Sequence, residues 1–548
     1  MRFPKGLTGN LGPYETRVVE RLRSWQAADF VRRLRGRDPT LWFPGPVPEI
    51  TDRLGWLELP VRMRPFREDL RAFAEAVRAE GTRHVVLLGM GGSSLASEVF
   101  QHTFGNAPGH PELIVLDSTH PAAVGAVEAR LALARTLFLV SSKSGTTTET
   151  LALFRYFWHR VRSETASPGR HFVAITDPGT PLEQTARARG FRHVFLGPPD
   201  VGGRYSALSV FGLLPAALIG VDVDELLDRA QAMAAACLAE GSEPENPGLV
   251  LGAVLGELAR AGRDKVTFLT SPLLRAFPTW LEQLIAESTG KGGRGIVPVV
   301  DEPPGAPEAY GPDRFFVYLS LEGERDADSE RRVATLEAAG HPVLRIHLDG
   351  LADLGGEFFR WEVAVAAACA VLGVHPFDQP DVQRTKELTQ RAVERPTASP
   401  IGVPAVSEPT AWDEALRDWS SQARPGDYIA LQAFLAPTPE TTAVLQDIRR
   451  RLRDRLRVAT TLGYGPRFLH STGQLHKGGP NAGLFLQLID DPAEDRPIPE
   501  TDLTFGRLLR AQADGDYQAL VERGRRILRL HLGRDVLRGL EVLRDALA

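Results

Sequence analysis

Phe138-Leu-Val-Ser-Ser-Lys-Ser-Gly-Thr-Thr-Thr-Glu-Thr150 runs from an apolar strand, Thr136 to Val140, into a turn of small hydroxylated residues. Beyond the turn Leu151, Phe154, Trp158 and Val161 recur at helical spacing. A helix N-terminus carries four backbone N–H groups with no internal partner, and its dipole favours negative charge there. One Ser or Thr cap would satisfy such an end. Ser141, Ser142, Ser144, Thr146, Thr147 and Thr148 around Gly145 are more than one cap requires. The stretch therefore reads as a phosphate pocket, with Lys143 as an added cation.

Upstream, His84-Val-Val-Leu-Leu88 is a strand that ends in Gly89-Met-Gly-Gly-Ser-Ser-Leu-Ala-Ser-Glu98. Strand, glycine turn and helix let backbone N–H groups approach a phosphate, although a tight turn without a ligand fits this segment equally well. The spacing is not that of the dinucleotide fingerprint. Further strands are expected at Leu113–Asp117, Phe172–Thr176 and Val194–Leu196. Strands alternating with helices imply a parallel, doubly wound sheet, whose ligands bind beyond the strand carboxyl ends. Both polar turns lie there.

Downstream, Asp200-Val-Gly-Gly-Arg-Tyr-Ser206 precedes an apolar helix. Its glycines let the backbone bend and aim Arg204; a surface turn with a solvated arginine is equally compatible. A second α/β unit follows, with strands at Lys265–Thr270, Phe315–Leu321 and Val343–Leu348. Within it Gln283 and Glu287 are four apart and share a helical face. On that segment alone a surface polar pair is the simpler reading. Phe358 to Leu372 is almost wholly apolar and must be a core helix. Gln379 and Lys386 then stand two turns apart on one face of a helix starting near Pro380.

Residues 393–411 are rich in Pro, Ser, Thr and Ala and read as a linker. A third region has strands at Tyr428–Phe434, Val458–Leu462 and Leu484–Ile489, with helices expected at Asp502–Ala513 and Tyr517–Leu547. The run Arg449 to Arg457 reads as a solvated helix face. Between its last two strands, residues 463–480 form a Gly-rich loop carrying His470, His476 and Lys477; long loops of this kind are usually functional. At the other end, residues 1–60 read as a helical preface, with one helix from Glu15 to Leu34. The expected fold class is thus α/β: two doubly wound parallel-sheet domains, a helical N-terminal preface and an additional C-terminal α/β region.

At 548 residues the chain needs two or three cores. A net charge of −5 offers no global positive field for nucleic acid. Cys237 and Cys369, the only cysteines, sit in apolar helical segments and read as buried hydrophobes; no metal site is expected. No apolar run reaches the length of a membrane span and none of signal type opens the chain, so a cytoplasmic protein is expected.

Together the motifs resemble phosphoglucose isomerase, of the sugar-isomerase (SIS) fold. Gly92-Ser93 is similar to the first phosphate-side turn of that family. Ser142-Lys-Ser-Gly-Thr-Thr147 is similar to its Ser/Thr phosphate loop, and Val201-Gly-Gly-Arg-Tyr-Ser206 to its Gly-Gly-Arg signature. Gln283-x-x-x-Glu287-Ser-Thr-Gly-Lys resembles the segment holding the catalytic base, and Phe377-Asp-Gln379 with Lys386 resembles the second signature. Five motifs in the family's order are highly specific. Asp29-Phe-Val-Arg-Arg-Leu, Asp38-Pro-Thr-Leu-Trp42 and Leu475-His-Lys-Gly-Gly-Pro-Asn-Ala-Gly483 resemble the isomerase half of bacterial transaldolase–phosphoglucose isomerase fusions. No transaldolase module precedes it, so that activity is not expected. The resemblance implies SIS-type domains at 61–240 and 241–395, after a segment at 1–60 and before a C-terminal region at 396–548.

Two departures stand out. The family has a histidine, in a Gly-Gln-His stretch, about thirty residues after the base, whereas residues 288–340 contain none. Asp381 stands where the common pattern has glycine.

The reaction implied is interconversion of glucose 6-phosphate and fructose 6-phosphate, without cofactor. One base must carry a proton between C2 and C1, which suits Glu287. A cation must stabilise the enediolate, which suits Arg204. Ring opening needs further proton transfer: Lys386 is a candidate by resemblance, and His476, or less readily His470, is expected to supply the missing imidazole. Gly92, Ser93, Ser142, Lys143, Ser144, Thr147, Gln283 and Gln379 are expected to bind the substrate. The alternatives are an isomerase that also accepts mannose 6-phosphate, or a non-catalytic SIS-type sensor. Sensors need no base and usually carry a DNA-binding module, and no such basic module is seen here. By resemblance the partner of each chain is a second copy, in a homodimer, with no nucleic acid or membrane.

Overall fold

Strand β1 (Leu7–Asn10) opens the chain and waits for a partner more than three hundred residues away. Strands β2 (His84–Leu88), β3 (Glu112–Leu116), β4 (Thr136–Ser141), β5 (Phe172–Thr176) and β6 (His193–Leu196) form a parallel sheet in the order β3-β2-β4-β5-β6. Strands β7 (Lys265–Thr270), β8 (Val297–Val299), β9 (Arg314–Leu321) and β10 (Val343–Leu348) form a second, in the order β1-β10-β9-β7-β8. It is parallel except at β1, which pairs antiparallel with β10. Strands β11 (Tyr428–Phe434), β12 (Ala459–Tyr464), β13 (Gly483–Ile489) and β14 (Arg526–His531) form a third parallel sheet, β12-β11-β13-β14. This computed structural model describes residues 1, 3–45, 47–324, 326–394 and 412–547; from residue 395 on, the expected linker lies outside them.

Each sheet is wound the same way. Its first parallel strand lies between the second and the third, so winding reverses at β2/β4, β7/β9 and β11/β13. Central strands in such sheets are covered on both faces and read as unbroken apolar runs. All of β4, β11 and β13 is buried. The reversal point of an open parallel sheet is its ligand crevice. At β2/β4 it is bordered by the two polar turns, Gly89–Ser94 and Ser142–Thr147.

The preface is less helical than its composition suggests. The expected helix breaks into Glu15–Ala27 and Phe30–Arg35 at Asp29, which is left-handed at φ 49°. With four residues, β1 is too short to show a period in the sequence. The same holds for β8, with three residues and a central proline. In the third region, one helix (Phe505–Glu522) bridges the gap between the two expected helices, the end of the second expected helix stands as Val536–Ala546, and β14 occupies a stretch read as helix. Its Leu/Ile spacing fits both periods, and only the edge of β13 decides between them.

Leu354–Leu372 is the expected core helix. Its apolar residues join one continuous core drawn from the preface and the first two sheets, while the third sheet has a core of its own. Polar contacts fasten the third unit. The arginine run is not a solvated face throughout: Arg450 and Arg451 pair with Asp447, but Arg449 and Arg453 are buried. Arg449 donates to the carbonyls of Val300 (2.8 Å) and Asp301 (3.0 Å), and Arg453 to that of Pro303. Glu302 accepts from Arg314 (2.8 Å) and from the Thr460 N–H (2.8 Å) across the same seam.

Candidate active site

The two glycine turns meet each other. Gly92 packs directly on the backbone of Gly203, where any Cβ would overlap the carbonyl, and Ser206 Oγ donates to the Gly92 carbonyl at 3.3 Å. This contact seats the short helical turn Gly203–Tyr205 and drives Arg204 inward. Arg204 is only 3% exposed, so the solvated-turn reading is excluded. Its guanidinium donates to Ser288 Oγ (2.8 Å), Gln379 Oε1 (2.9 Å) and the carbonyls of Pro376 (2.7 Å) and Asp378 (3.1 Å).

Glu287 completes the set, with Oε1 at 3.2 Å from Arg204. It lies on helix Phe277–Thr289, and Gln283 stands one turn earlier on the same face. The pair is buried, not a surface pair. The Gln283 amide nitrogen donates to Glu287 Oε2 (2.9 Å) and to the His470 carbonyl (2.8 Å). Its Oε1 has no partner among the described residues.

In the hydroxyl turn, Thr147 occupies the cap position of helix Thr148–Arg162 but makes no capping bond. Its hydroxyl pairs with Ser142 Oγ at 2.9 Å, and Ser144 Oγ pairs with Thr146 Oγ1 at 2.9 Å. Among the described residues the first-turn N–H groups thus have no side-chain cap, which suits an anion. Gly145, at φ +69°, makes the turn that bends the loop back over β4. Ser93 joins from the other side, its carbonyl accepting from Ser141 Oγ at 2.8 Å.

Lys143 points to partners other than this pocket. Its ammonium donates to both carboxylate oxygens of Asp177 (2.8 and 2.7 Å) and to the Pro198 carbonyl (2.9 Å). Three donors on three acceptors leave none for a phosphate. It locks the loop to the end of β5.

His476 is likewise engaged away from the cleft that His470 lines. The expected loop is ordered: β12 runs to Tyr464, a short turn covers Arg467–His470, and Gly473–Gly478 is helical. His476 is buried among the rings of Tyr428, Phe468 and Phe485, with Gln432 at 3.3 Å from Nδ1. Burial, then the charges of Lys477 and Arg525, push its pKa well below the usual histidine value. It is not part of that cleft wall.

His470 is the histidine that lines the cleft. Its Nε2 lies 2.9 Å from Glu149 Oε1, and no hydrogen bond reaches Nδ1 among the described residues. Glu149 also accepts from Gln512 at 2.6 Å. Burial raises the Glu149 pKa, but His470 outweighs it and holds the carboxyl below its ordinary value. A cleft of roughly 610 Å³ is lined by Thr146, Thr147, Glu149, Lys386, His470 and Gln512, among others. Lys386 is exposed there, as its face on helix Pro380–Glu394 implies. Hydrogen bonds and an ion pair run from the cleft wall to the base: Glu149, His470, Gln283, Glu287, Arg204.

Sequence reading missed Glu149, Ser288 and Gln512. Glu149 carried a signal, as a carboxylate two residues past a phosphate-type turn. Gln512, on a long helix of another unit, carried none. The glycine-to-aspartate departure also has its reason in the third unit. Asp381 accepts from Gln474 (2.8 Å) and pairs with Arg523, and Gln474 Oε1 accepts the Asp381 N–H (2.9 Å).

A sequence model described as phosphoglucose isomerase matches residues 57–301. The glucose-6-phosphate isomerase of Rubrobacter xylanophilus is 33% identical over 399 residues, 63% of this chain and 90% of that protein. That of Symbiobacterium thermophilum is 32% identical, covering 61% and 85%. Among solved structures, a hypothetical protein from Thermus thermophilus superposes with a TM-score of 0.61 at 26% identity, over 71% of this chain and all of the other. A glucose-6-phosphate isomerase from Chlamydia trachomatis gives 0.60 at 20%, over 76% and 92%, a likeness of fold. Homology extending over nine-tenths of a relative places this chain in the phosphoglucose isomerase family.

Proposed function

We propose that the protein is an isomerase that interconverts glucose 6-phosphate and fructose 6-phosphate through an enediolate. The observation that carries this is the buried pairing of Glu287 with Arg204 at 3.2 Å, beside a hydroxyl-rich turn suited to a phosphate. The phosphate binds at Ser142, Ser144, Thr147 and the open helix end, with Gly92 and Ser93 opposite. Binding energy from this unreactive end orients C1 and C2 against the base. Glu287 takes the C2 proton of the open-chain aldose and returns it to C1, while the charge on the intermediate oxygens is met by Arg204. No redox partner is needed, since the electrons only shift between C1 and C2.

His470 is assigned to ring opening. Glu149 holds Nε2, which leaves Nδ1 to pass a proton between the ring oxygen and the O1 hydroxyl. Lys386, at the cleft mouth, is kept as a second participant on the strength of the resemblance. The joint presence of base and cation speaks against a sensor.

The same reading makes it a cytoplasmic homodimer, with a helical segment at 1–60, SIS-type domains at 61–240 and 241–395, and an additional C-terminal α/β region at 396–548. Among the described residues no helix is long and apolar enough to cross a membrane, and no His, Cys, Asp and Glu cluster is arranged for a metal.

The test is a coupled assay: purified protein, fructose 6-phosphate and a glucose-6-phosphate dehydrogenase reporter. Robust turnover is expected. Sugar-phosphate binding by calorimetry without turnover would overturn the assignment.

A further inference from the structure

Arg204 is aimed by a segment that has no regular structure. The carbonyls of Pro376 and Asp378 and the amide oxygen of Gln379 grip its guanidinium, between the end of helix Leu354–Leu372 and the start of Pro380–Glu394. Such a segment holds its shape only through its side-chain ties. His375 supplies some: Nδ1 accepts the N–H groups of Phe377 (3.0 Å) and Asp378 (3.1 Å), and Nε2 donates to the Pro48 carbonyl (2.9 Å). Lys291 supplies two more. Its buried ammonium lies 2.8 Å from Asp378 Oδ1 and donates to the His375 carbonyl. Asp378 Oδ1 is itself buried and has no other close partner among the described residues, the nearest alternative being His375 Nδ1 at 3.5 Å.

We propose that Lys291 is a positioning residue for the isomerisation: by gripping Asp378 and the His375 carbonyl it sets the segment that aims Arg204 beside Glu287, and loss of its charge ends activity on the alkaline side. The inference rests on the isomerase reading above.

Lys291 sits among charges. Burial, then the like charge of Arg204, push its pKa from 10.5 down to about 8; Asp378 and the Cys369 thiol pull the other way. Burial pushes the His375 pKa below its ordinary value, and Glu287 pairs with Arg204. Lys291 is therefore charged below about pH 8 and neutral above it. A neutral amine keeps two N–H groups but leaves the buried Asp378 oxygen without a counter-charge. The segment then loosens. A displacement of about 1 Å at a catalytic group costs on the order of a hundredfold in rate.

The experiment measures kcat and KM for fructose 6-phosphate from about pH 6 to about pH 10 for the wild-type protein, Lys291→Met and Lys291→Arg, the range spanning both limbs of a pH–rate profile. Wild type should lose kcat with an apparent pKa near 8. Lys291→Met should lower kcat by about tenfold to a hundredfold with KM almost unchanged, and show no alkaline limb near 8. Lys291→Arg keeps a cation at all these pH values, so it should restore most turnover and extend it into alkali. A Lys291→Met profile superimposable on wild type would overturn the inference. If that variant does not fold, an alkaline limb unmoved in Lys291→Arg overturns it equally. Absence of turnover in the wild-type protein would instead overturn the isomerase reading, not the assignment of Lys291 alone.

Discussion

His470 hydrogen-bonds Glu149 at 2.9 Å, although 321 positions separate them in the chain. The contact joins the third sheet's unit to the phosphate-loop helix of the first. Arg467 anchors the same turn, donating to Glu98 at 3.1 Å with Asp117 at 3.3 Å. The family's histidine is missing from the region after the base, and an imidazole comes to the cleft from another unit. Asp381, the other departure from the family pattern, is bound by Gln474 and Arg523 of that unit. Residues of one unit, the third, thus stand beside Asp381 and supply the histidine at the cleft.

Glu287→Gln should abolish turnover by about a thousandfold, the usual weight of a positioned general base. Sugar-phosphate binding, followed by calorimetry, should stay close to wild type because the phosphate turn is untouched. Retained turnover would remove Glu287 from the mechanism.

The two histidines separate cleanly. His470→Gln should lower kcat by about a hundredfold on the ring-closed substrate, as for other proton-transfer groups. His476→Gln should instead lower the melting temperature, since it opens a packed aromatic site, while the folded enzyme keeps its rate. Equal kinetic losses in both would contradict the placement of His476 in the core.

Lys143→Met tests whether this lysine binds phosphate. Its pair with Asp177 is largely buried, so removing the cation should cost about 3 kcal/mol of stability. KM should change by less than about threefold, the range of a second-order effect on binding. A KM rise of two orders of magnitude would reinstate Lys143 as a ligand of the substrate.

Glu302 gives a pH signature. Burial raises its pKa, but Arg314 and then Arg449 outweigh burial and hold it below the ordinary 4.5. Stability from this carboxylate is fully present above pH 4.5 and is lost as pH falls through the lower folded value. Glu302→Gln should cost about 3–5 kcal/mol at neutral pH, by leaving Arg314 unpaired. The gap from wild type should narrow on acidification, which urea melts at several pH values would show.

Glu362 should behave oppositely. It is fully buried, neither oxygen has a partner among the described residues, and burial raises its pKa well above the ordinary value. The folded state binds the proton more tightly, so stability falls as pH rises above 4.5. Glu362→Met should therefore stabilise at pH 7 by about 1–3 kcal/mol, the cost of an unsatisfied buried polar group. The gain should shrink near pH 4.

The parallel strands, the hydroxyl turn, the Gly-Gly-Arg turn and the Gln283/Glu287 face were all legible in the amino-acid sequence. Each is a local matter of apolar runs, glycine spacing and helical period. Short or edge elements were not, because β1, β8 and β14 owe their conformation to the strand beside them. Local pattern could also suggest that a lysine in a phosphate-type loop is free, or that one of two histidines in a Gly-rich segment is reactive. It could not say where either side chain points. The end of β5 brings Asp177 to Lys143, and the third sheet encloses His476 while delivering His470 to Glu149. Those assignments depend on contacts between residues tens to hundreds of positions apart, and only the tertiary structure decided them.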